Sequence, residues 1–332
     1  MILTTPLLER LARAGEVHVV ATPANAAVLA NHPAVASVIV YDKRNTDAGL
    51  AGLRRVAARL RTTGATTAYM AQGSWRTAAL ARLAGVASVG FDTSAGRWLY
   101  SRRVAYRNDW HHAQRLWGLA DDPRATGAVV PAHLRPSLYP GADDHAHVTA
   151  LLAAAGVECG EPLVALAPGS VWATKRWPWY DALAGELVAR LPAARVVVIG
   201  AAGDAPLAAA IGEAVRQRGG RPVLDATGRL SLLGSAALLA RCILLVTNDS
   251  APLHLASAMN TPTVALFGPT VPGMGFGPLA DRQVVLGRHE LTCRPCSAHG
   301  GQACPLGHWQ CMRDVQPSAV TEQIVREMRA RQ

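Results

Sequence analysis

Four short segments hold the residue types that could handle a phosphorylated ligand or a metal. The first is Ala167-Pro168-Gly169-Ser170-Val171-Trp172-Ala173-Thr174-Lys175-Arg176-Trp177-Pro178. It follows an apolar run at 163–167 and precedes a helix expected from about 178, so it reads as a strand-to-helix loop. Lys175 is one of only two lysines in the chain, the other being Lys43. Gly169 allows close backbone approach, Ser170 and Thr174 offer hydroxyls, and Lys175 and Arg176 offer cationic donors. That set suits a diphosphate, although an ordinary solvated loop could carry the same residues.

The second segment, Thr247-Asn248-Asp249-Ser250-Ala251-Pro252, ends a strand and opens a helix at once. Asp249 or Ser250 can cap that helix, with Pro252 in its first turn. A helix N-terminus beside a strand end attracts anions. A carboxylate there repels phosphate, so Asp249 either faces sugar hydroxyls or serves as a plain cap. The third segment, Phe267-Gly268-Pro269-Thr270 with the Gly- and Pro-rich stretch that follows, offers backbone contacts to a nucleotide or sugar, or else is a loop of no special role. The fourth holds Cys293, Cys296, Cys304 and Cys311, spaced C-x2-C-x7-C-x6-C, with His299 and His308 nearby. Four cysteines could hold structural zinc tetrahedrally. Free thiols, disulfides or another metal are the alternatives, disulfides being disfavoured in the cytosol. Cys159 and Cys242 read as buried small hydrophobes.

These segments need a scaffold of alternating strands and helices. Helical patterns are expected at 2–14, 24–31, 47–63 and 74–85, and strands at 17–21, 37–41, 66–71 and 88–91. The texture breaks between about 120 and 162, where Pro123, Pro131, Pro136, Pro140 and Pro162 interrupt it around one helix at about 143–155. Strands at 163–167, 196–199, 223–225, 243–247 and 263–267 then alternate with helices at 178–191, 204–218, 231–240 and 251–259. This rhythm predicts parallel α/β sheets. The expected division is 1–140 and 141–332, with a ligand cleft between two α/β domains, beyond strand carboxyl ends.

Half the residues are hydrophobic, enough to bury a sizeable core, and the formal net charge is +10. Arginine enrichment either reflects genome composition or favours anionic partners such as a nucleotide, a phosphorylated glycolipid or an acidic membrane surface. Nucleic acid is a poor fit, because the basic residues are dispersed and aromatics are few. No apolar run reaches the roughly 18–20 residues of a membrane helix.

Three stretches, LAPGSVWATKRWP (166–178), TNDSAPLHLASAMNTPTVALFGPT (247–270) and CRPCSAHGGQACPLGHWQCMRD (293–314), together resemble glycosyltransferase family 9, the ADP-heptose:lipopolysaccharide heptosyltransferases, with the closest likeness to the heptosyltransferase II branch. The opening MILTTPLLERL resembles the family's first helix, so the likeness spans nearly the whole chain. It implies a GT-B fold of two Rossmann-like domains, an N-terminal one for the acceptor and a C-terminal one for the donor. It implies inverting transfer of heptose from ADP-heptose to the lipopolysaccharide inner core, with no cofactor required. By resemblance, Ser170 and Lys175 meet the donor phosphates and Asp249 holds the heptose. Thr174, Arg176, Asn248, Ser250, Gly268, Pro269 and Thr270 complete the expected donor site. The implied location is the cytoplasm, at the inner face of the cytoplasmic membrane. Transfer of another sugar to a surface glycan, and sugar-nucleotide binding without turnover, are the alternative readings.

One departure stands out. The family places a first strand and a Gly-Asp loop, whose aspartate is the base, immediately before this helix, and Met1 stands just after that place. Glu9 lies two turns into the helix and Glu16 beyond its end, so neither replaces the aspartate. The expectation is that strand and base lie upstream, that their loss leaves a gap flanked by unpaired strand edges, and that the 332-residue form is inactive.

Overall fold

The structure, a computed structural model, describes residues 1–121 and 130–329. The chain divides into two compact units, Met1–Tyr139 and Pro140–Gln332.

Unit 1 opens with a 3₁₀ turn, Ile2–Thr4, that runs into α1 (Thr5–Ala12). Leu7 and Leu8 of this amphipathic helix are buried. There follow β1 (His18–Ala21), α2 (Pro23–Ala27), β2 (Ser37–Val40), α3 (Gly49–Arg61), β3 (Thr67–Tyr69), α4 (Trp75–Ala84), β4 (Ala87–Phe91), β5 (Arg102–Val104) and α5 (His112–Gly118). The expected helix at 24–31 is shorter, ending at Ala27 in a turn that carries buried His32. β5 and α5 escaped the periodicity reading. Two arginines in the three-residue strand break its apolar alternation, and one of them, Arg102, reaches out to the carbonyls of Leu119 and Asp121 beyond α5.

The strands of unit 1 form two separate parallel sheets, β1-β2 and β3-β4-β5. Among the described residues β1 pairs only with β2 and β3 only with β4. A cavity of about 820 Å³ is lined by both strands, by Leu7, Leu8 and Leu11 of α1 and by Leu80 and Ala81 of α4. Two clusters pack on the β1-β2 sheet: Leu53, Val56 and Leu60 of α3 with Ile39 and Leu80, and Leu8 with Val17, Val19 and Leu29. On the β3-β4-β5 sheet, Phe91 of β4 packs with Leu7, Leu116 and Leu119.

Unit 2 continues with α6 (Ala142–Ala154), β6 (Leu163–Ala167), α7 (Tyr180–Arg190), β7 (Arg195–Val198), α8 (Ala205–Gln217), β8 (Leu224–Asp225), α9 (Leu232–Arg241), β9 (Leu244–Asn248), α10 (Ala251–Met259), β10 (Thr263–Leu266), β11 (Gln283–Leu286), α11 (Gln310–Arg313) and α12 (Pro317–Arg329). α6 is the helix expected inside the connector; residues 122–129 of that connector, Pro123 among them, lie outside the described residues. All six strands form one parallel sheet in the order β11-β10-β9-β6-β7-β8. Every residue of β6 and β9 is buried, as expected of central strands covered on both faces. The half-exposed edge strand β11 was not foreseen.

The order reverses between β6 and β9. The chain builds β6, β7 and β8 in one direction, then returns to lay β9, β10 and β11 on the other side of β6. Helices leaving β6 and β9 therefore diverge, and the loops at the carboxyl ends of these two strands are neighbours. This topology brings the first two chemical segments together.

Sheet pairing sets an order of local stability. Strands paired on one side only open first, so amides of β1 and β3 should exchange at least about tenfold faster than those of β6 and β9, which pair on both sides. Hydrogen exchange followed by mass spectrometry measures this. Equal protection across the two units would show that the open edges of β1 and β3 cost nothing.

Candidate functional site

The loop after β6 carries Lys175 in a short 3₁₀ turn, Ala173–Lys175. Lys175 Nζ lies 2.6 Å from Asp249 Oδ2, just beyond β9. Both residues are buried, at 9% and 8% exposure. The same carboxylate oxygen accepts the Thr270 hydroxyl at 2.7 Å, from the loop after β10. Three of the expected site residues, on the loops after three adjacent strands, therefore converge on one carboxylate oxygen.

Asp249 is not the helix cap. Ser250 takes the N-cap position of α10, and its side chain makes no capping bond. The hydroxyl of Ser250 instead donates to the Asn248 carbonyl at 3.5 Å. Asn248 is fully buried and joins the loops. Its Nδ2 donates to the Pro168 carbonyl at 2.9 Å, and its Oδ1 accepts Trp177 N at 3.2 Å and the Tyr180 hydroxyl at 3.3 Å. Burial pushes the Tyr180 phenol well above its ordinary pKa, so it is a neutral donor.

The remaining expected residues take supporting positions. Thr174 is tied to the C-terminal segment: its hydroxyl donates to the Gly301 carbonyl at 2.9 Å and accepts Gly301 N at 2.8 Å. Ser170 Oγ accepts Trp172 N, and Arg176 Nε donates to the Ser170 carbonyl, which folds the loop on itself. Gly169 was expected to admit a ligand. In the structure, the space a Cβ would fill is taken by the Asp204 carboxyl, 2.3 Å from that point. Asp204 in turn accepts Ala201 N at 2.9 Å. Gly268 has a packing reason too, since a Cβ there would meet Met312 at 2.7 Å.

Arg294 is the site residue that sequence reading missed. It lies inside the Cys293-Arg294-Pro295-Cys296 run, which drew attention to the sulfurs. Its guanidinium donates to the carbonyls of Phe267 at 2.8 Å and Thr270 at 3.0 Å, and also to those of Gly268 and Arg288. It thus shapes the loop carrying Gly268, Pro269 and Thr270, and Cys296 N adds a bond to the Pro269 carbonyl. The only sequence signal was an arginine in a segment otherwise rich in small residues.

The structure gives no support for a zinc centre at the cysteine cluster. Among the described residues no group of three or more His, Cys, Asp or Glu is arranged to hold a metal ion. Cys293 Sγ and His308 Nε2 stand 3.9 Å apart, and the Cys296 thiol donates to the Cys293 carbonyl instead. All six cysteines are free. Cys159, expected inside, is exposed, because it lies in the turn between α6 and β6.

Two outcomes follow for unit 2. Asp249→Asn keeps the shape but leaves a buried lysine ammonium without its counter-charge, so stability should fall by about 3 kcal/mol. Adding Lys175→Met should restore most of the loss, as urea denaturation would show; no recovery in the double variant would mean that the pair is not coupled. The thiols should also differ in reactivity. Burial pushes Cys242 up to about 12 and Cys311 up to about 11. Desolvation raises Cys304 as well, but backbone N–H groups of Trp309, Leu306, Gly307 and His308 outweigh it and hold its thiol below the ordinary value. Iodoacetamide at neutral pH should label Cys159 and Cys304 before Cys242 and Cys311, read by peptide mass mapping. Early labelling of Cys311 would contradict the packing around it.

Residues 53–309 match Glycosyltransferase family 9 (heptosyltransferase). Lipooligosaccharide heptosyltransferase 2 of Haemophilus influenzae is 30% identical over 169 residues, 49% of this chain and 46% of that protein. The chain spans between about a quarter and a half of the length of the curated relatives it matches. Among solved structures, E. coli ADP-heptose lps heptosyltransferase II superposes with a TM-score of 0.77 at 23% identity, covering 99% of this chain and 95% of that one. The family 9 glycosyl transferase from Veillonella parvula gives a TM-score of 0.83 at 23% identity, covering 98% and 94%. The fold is thus of the GT-B class. The match to the family covers more than half of the sequence and takes in the loops after β6, β9 and β10, and the chain belongs to glycosyltransferase family 9.

Proposed function

We propose that this chain is a glycosyltransferase that moves a heptose from ADP-heptose to the inner core of lipopolysaccharide, with inversion and without a metal. The observation that carries the reading is the buried Lys175–Asp249–Thr270 cluster at the carboxyl ends of β6, β9 and β10. Family membership supplies the reaction class.

In this reading an acceptor hydroxyl oxygen attacks the anomeric carbon of the heptose. The bond from that carbon to the diphosphate oxygen breaks, ADP departs, and a carboxylate takes the hydroxyl proton. Lys175 faces the diphosphate and stabilises the charge that grows on it. Asp249 holds the lysine in place and turns its other oxygen to sugar hydroxyls, where a carboxylate is a good acceptor. Thr270 fixes the carboxylate through the oxygen that Lys175 also contacts. Ser170, Thr174 and Arg176 build the wall of the diphosphate pocket, and Asn248 locks the loops after β6 and β9 to each other. Ser250, Gly268 and Pro269 bring backbone groups to the nucleotide and sugar. Unit 2 is then the donor domain and unit 1 the acceptor domain, working in the cytoplasm on a lipid-borne substrate. Among the described residues no helix is long and apolar enough to cross a membrane.

The test is transfer of heptose from ADP-heptose to a heptose-deficient inner core. Lys175→Ala should lower kcat/KM by at least about tenfold, a loss of about 1.4 kcal/mol or more in transition-state binding. Chelators should leave the wild-type rate unchanged. Unaltered kinetics in the variant would remove Lys175 from the site. Transfer from a different nucleotide sugar but not from ADP-heptose would replace the substrate while keeping the chemistry.

A further inference from the structure

Two tryptophans of unit 1 stand outside its cores. Trp98 is 74% exposed and Trp75 59%. Trp75 opens α4 just beyond the carboxyl end of β3, and Trp98 lies in the 3₁₀ turn Arg97–Leu99 that follows β4. The two segments are packed against each other: at Gly96 a Cβ would sit 2.6 Å from the Ala78 side chain and 3.2 Å from Trp75 Cα. Their platform is rigid. The Ser74 hydroxyl caps α4 by accepting Thr77 N, and Tyr100 is buried with Met70, Ala78 and Ala81.

The surroundings are cationic. The guanidinium carbons of Arg97 and Arg103 lie 5.0 and 5.5 Å from the Trp98 ring, and that of Arg76 lies 5.8 Å from the Trp75 ring. None of the three is in an ion pair among the described residues; Arg97 also donates to the Ser94 carbonyl at 3.4 Å. Residues 72–91 and 93–108 contain no aspartate or glutamate. Asp92, between them, is the one acid of the stretch, and its Oδ1 accepts Tyr106 N. Exposed leucines complete the patch: Leu99 beside Trp98, and Leu83 two turns along α4 from Trp75.

We propose that this Trp–Arg patch docks the protein on an anionic bilayer surface. Indoles favour the level of the lipid headgroups, where their apolar body and N–H are both satisfied. Arginines beside them meet phosphate with a planar fork of donors, and basic side chains near an anionic leaflet add attraction that falls off within a Debye length. Charge complementarity thus names the occupant. Aromatic rings with arginine also stack nucleic-acid bases, but exposed leucines add nothing to base stacking and gain from lipid contact. The choice of a membrane also rests on the proposed reading, in which the acceptor sits on a lipid.

Sedimentation of the full chain with large vesicles tests the inference. The protein should pellet with mixed phosphatidylcholine–phosphatidylglycerol vesicles, not with phosphatidylcholine alone, and raised salt should release it. Replacing Arg76, Arg97 and Arg103 together by glutamine should weaken binding by about 100-fold. The lysine triple variant should retain it, and Trp75→Ser with Trp98→Ser should weaken it by at least about tenfold. All these positions are exposed or half-exposed, so circular dichroism should be unchanged. Failure of the wild type to pellet with anionic vesicles would overturn the inference, as would glutamine variants that bind like wild type. Single-stranded oligonucleotide binding lost in the same variants, without vesicle binding, would do so too. Turnover of ADP-heptose with a deacylated, soluble acceptor separates the two claims. Turnover without vesicle binding removes the docking surface and leaves the reaction. Vesicle binding without turnover removes the reaction and leaves the docking surface.

Discussion

Unit 2 is organised around a lysine ammonium and an aspartate carboxylate that share one buried contact of 2.6 Å. Taking both charges out of water costs several kcal/mol, and their attraction offsets that cost only if the geometry is good and the remaining hydrogen-bonding capacity is met. The structure meets that condition through Thr270, whose hydroxyl donates to the carboxylate and whose carbonyl is held by Arg294. Arg294 in turn fixes Phe267 and Gly268. The pair is costly as a stabilising device and makes sense as a preorganised polar site. In the proposed reading, a donor diphosphate arriving beside Lys175 would find the ammonium already desolvated and aimed.

The uncharged parts of the site serve the same constraint. Asn248, without any exposed surface, bonds to Pro168, Trp177 and Tyr180, and so binds the loop after β6 to the end of β9. Trp177 Nε1 donates to the Val315 carbonyl, and Trp179 Nε1 to that of Arg313, which ties the same loop to the C-terminal segment. Thr174 and Gly301 add a second tie. The region around the free cysteines therefore contributes through backbone groups and Arg294.

Unit 1 follows different rules. Its five strands make two sheets with open edges facing a shared cavity, whereas unit 2 has one continuous sheet. Backbone N–H and C=O groups along such edges rely on solvent or on other partners, so β1 and β3 lack the mutual support that β6 and β9 give each other. Glu9, the acid nearest the start, is engaged within this unit: it accepts the Tyr139 hydroxyl at 3.5 Å and lies 3.9 Å from His32. Desolvation lowers the His32 pKa although Glu9 raises it, so burial wins over the nearby charge.

The sequence by itself determined a good deal. Alternating apolar runs and helical stretches are local properties, so the parallel α/β character and most elements of unit 2 were readable from periodicity alone. Asp249 stood out because it follows an apolar run at a strand end, Lys175 because it is one of two lysines and sits in a strand-to-helix loop, and Thr270 through the family resemblance. What the sequence could not show was that they share one oxygen atom. That depends on strand order, with β9 returning beside β6, and order is a property of the folded sheet. The same reason hid Arg294, whose partners Phe267 and Thr270 lie 27 and 24 residues away in the chain, and the packing role of Gly169, whose missing side chain makes room for Asp204. Cysteine spacing suggested a metal site because spacing is visible in one dimension. Whether four sulfurs take the tetrahedral arrangement a metal needs is decided in three, and among the described residues no group of three or more His, Cys, Asp or Glu is so arranged.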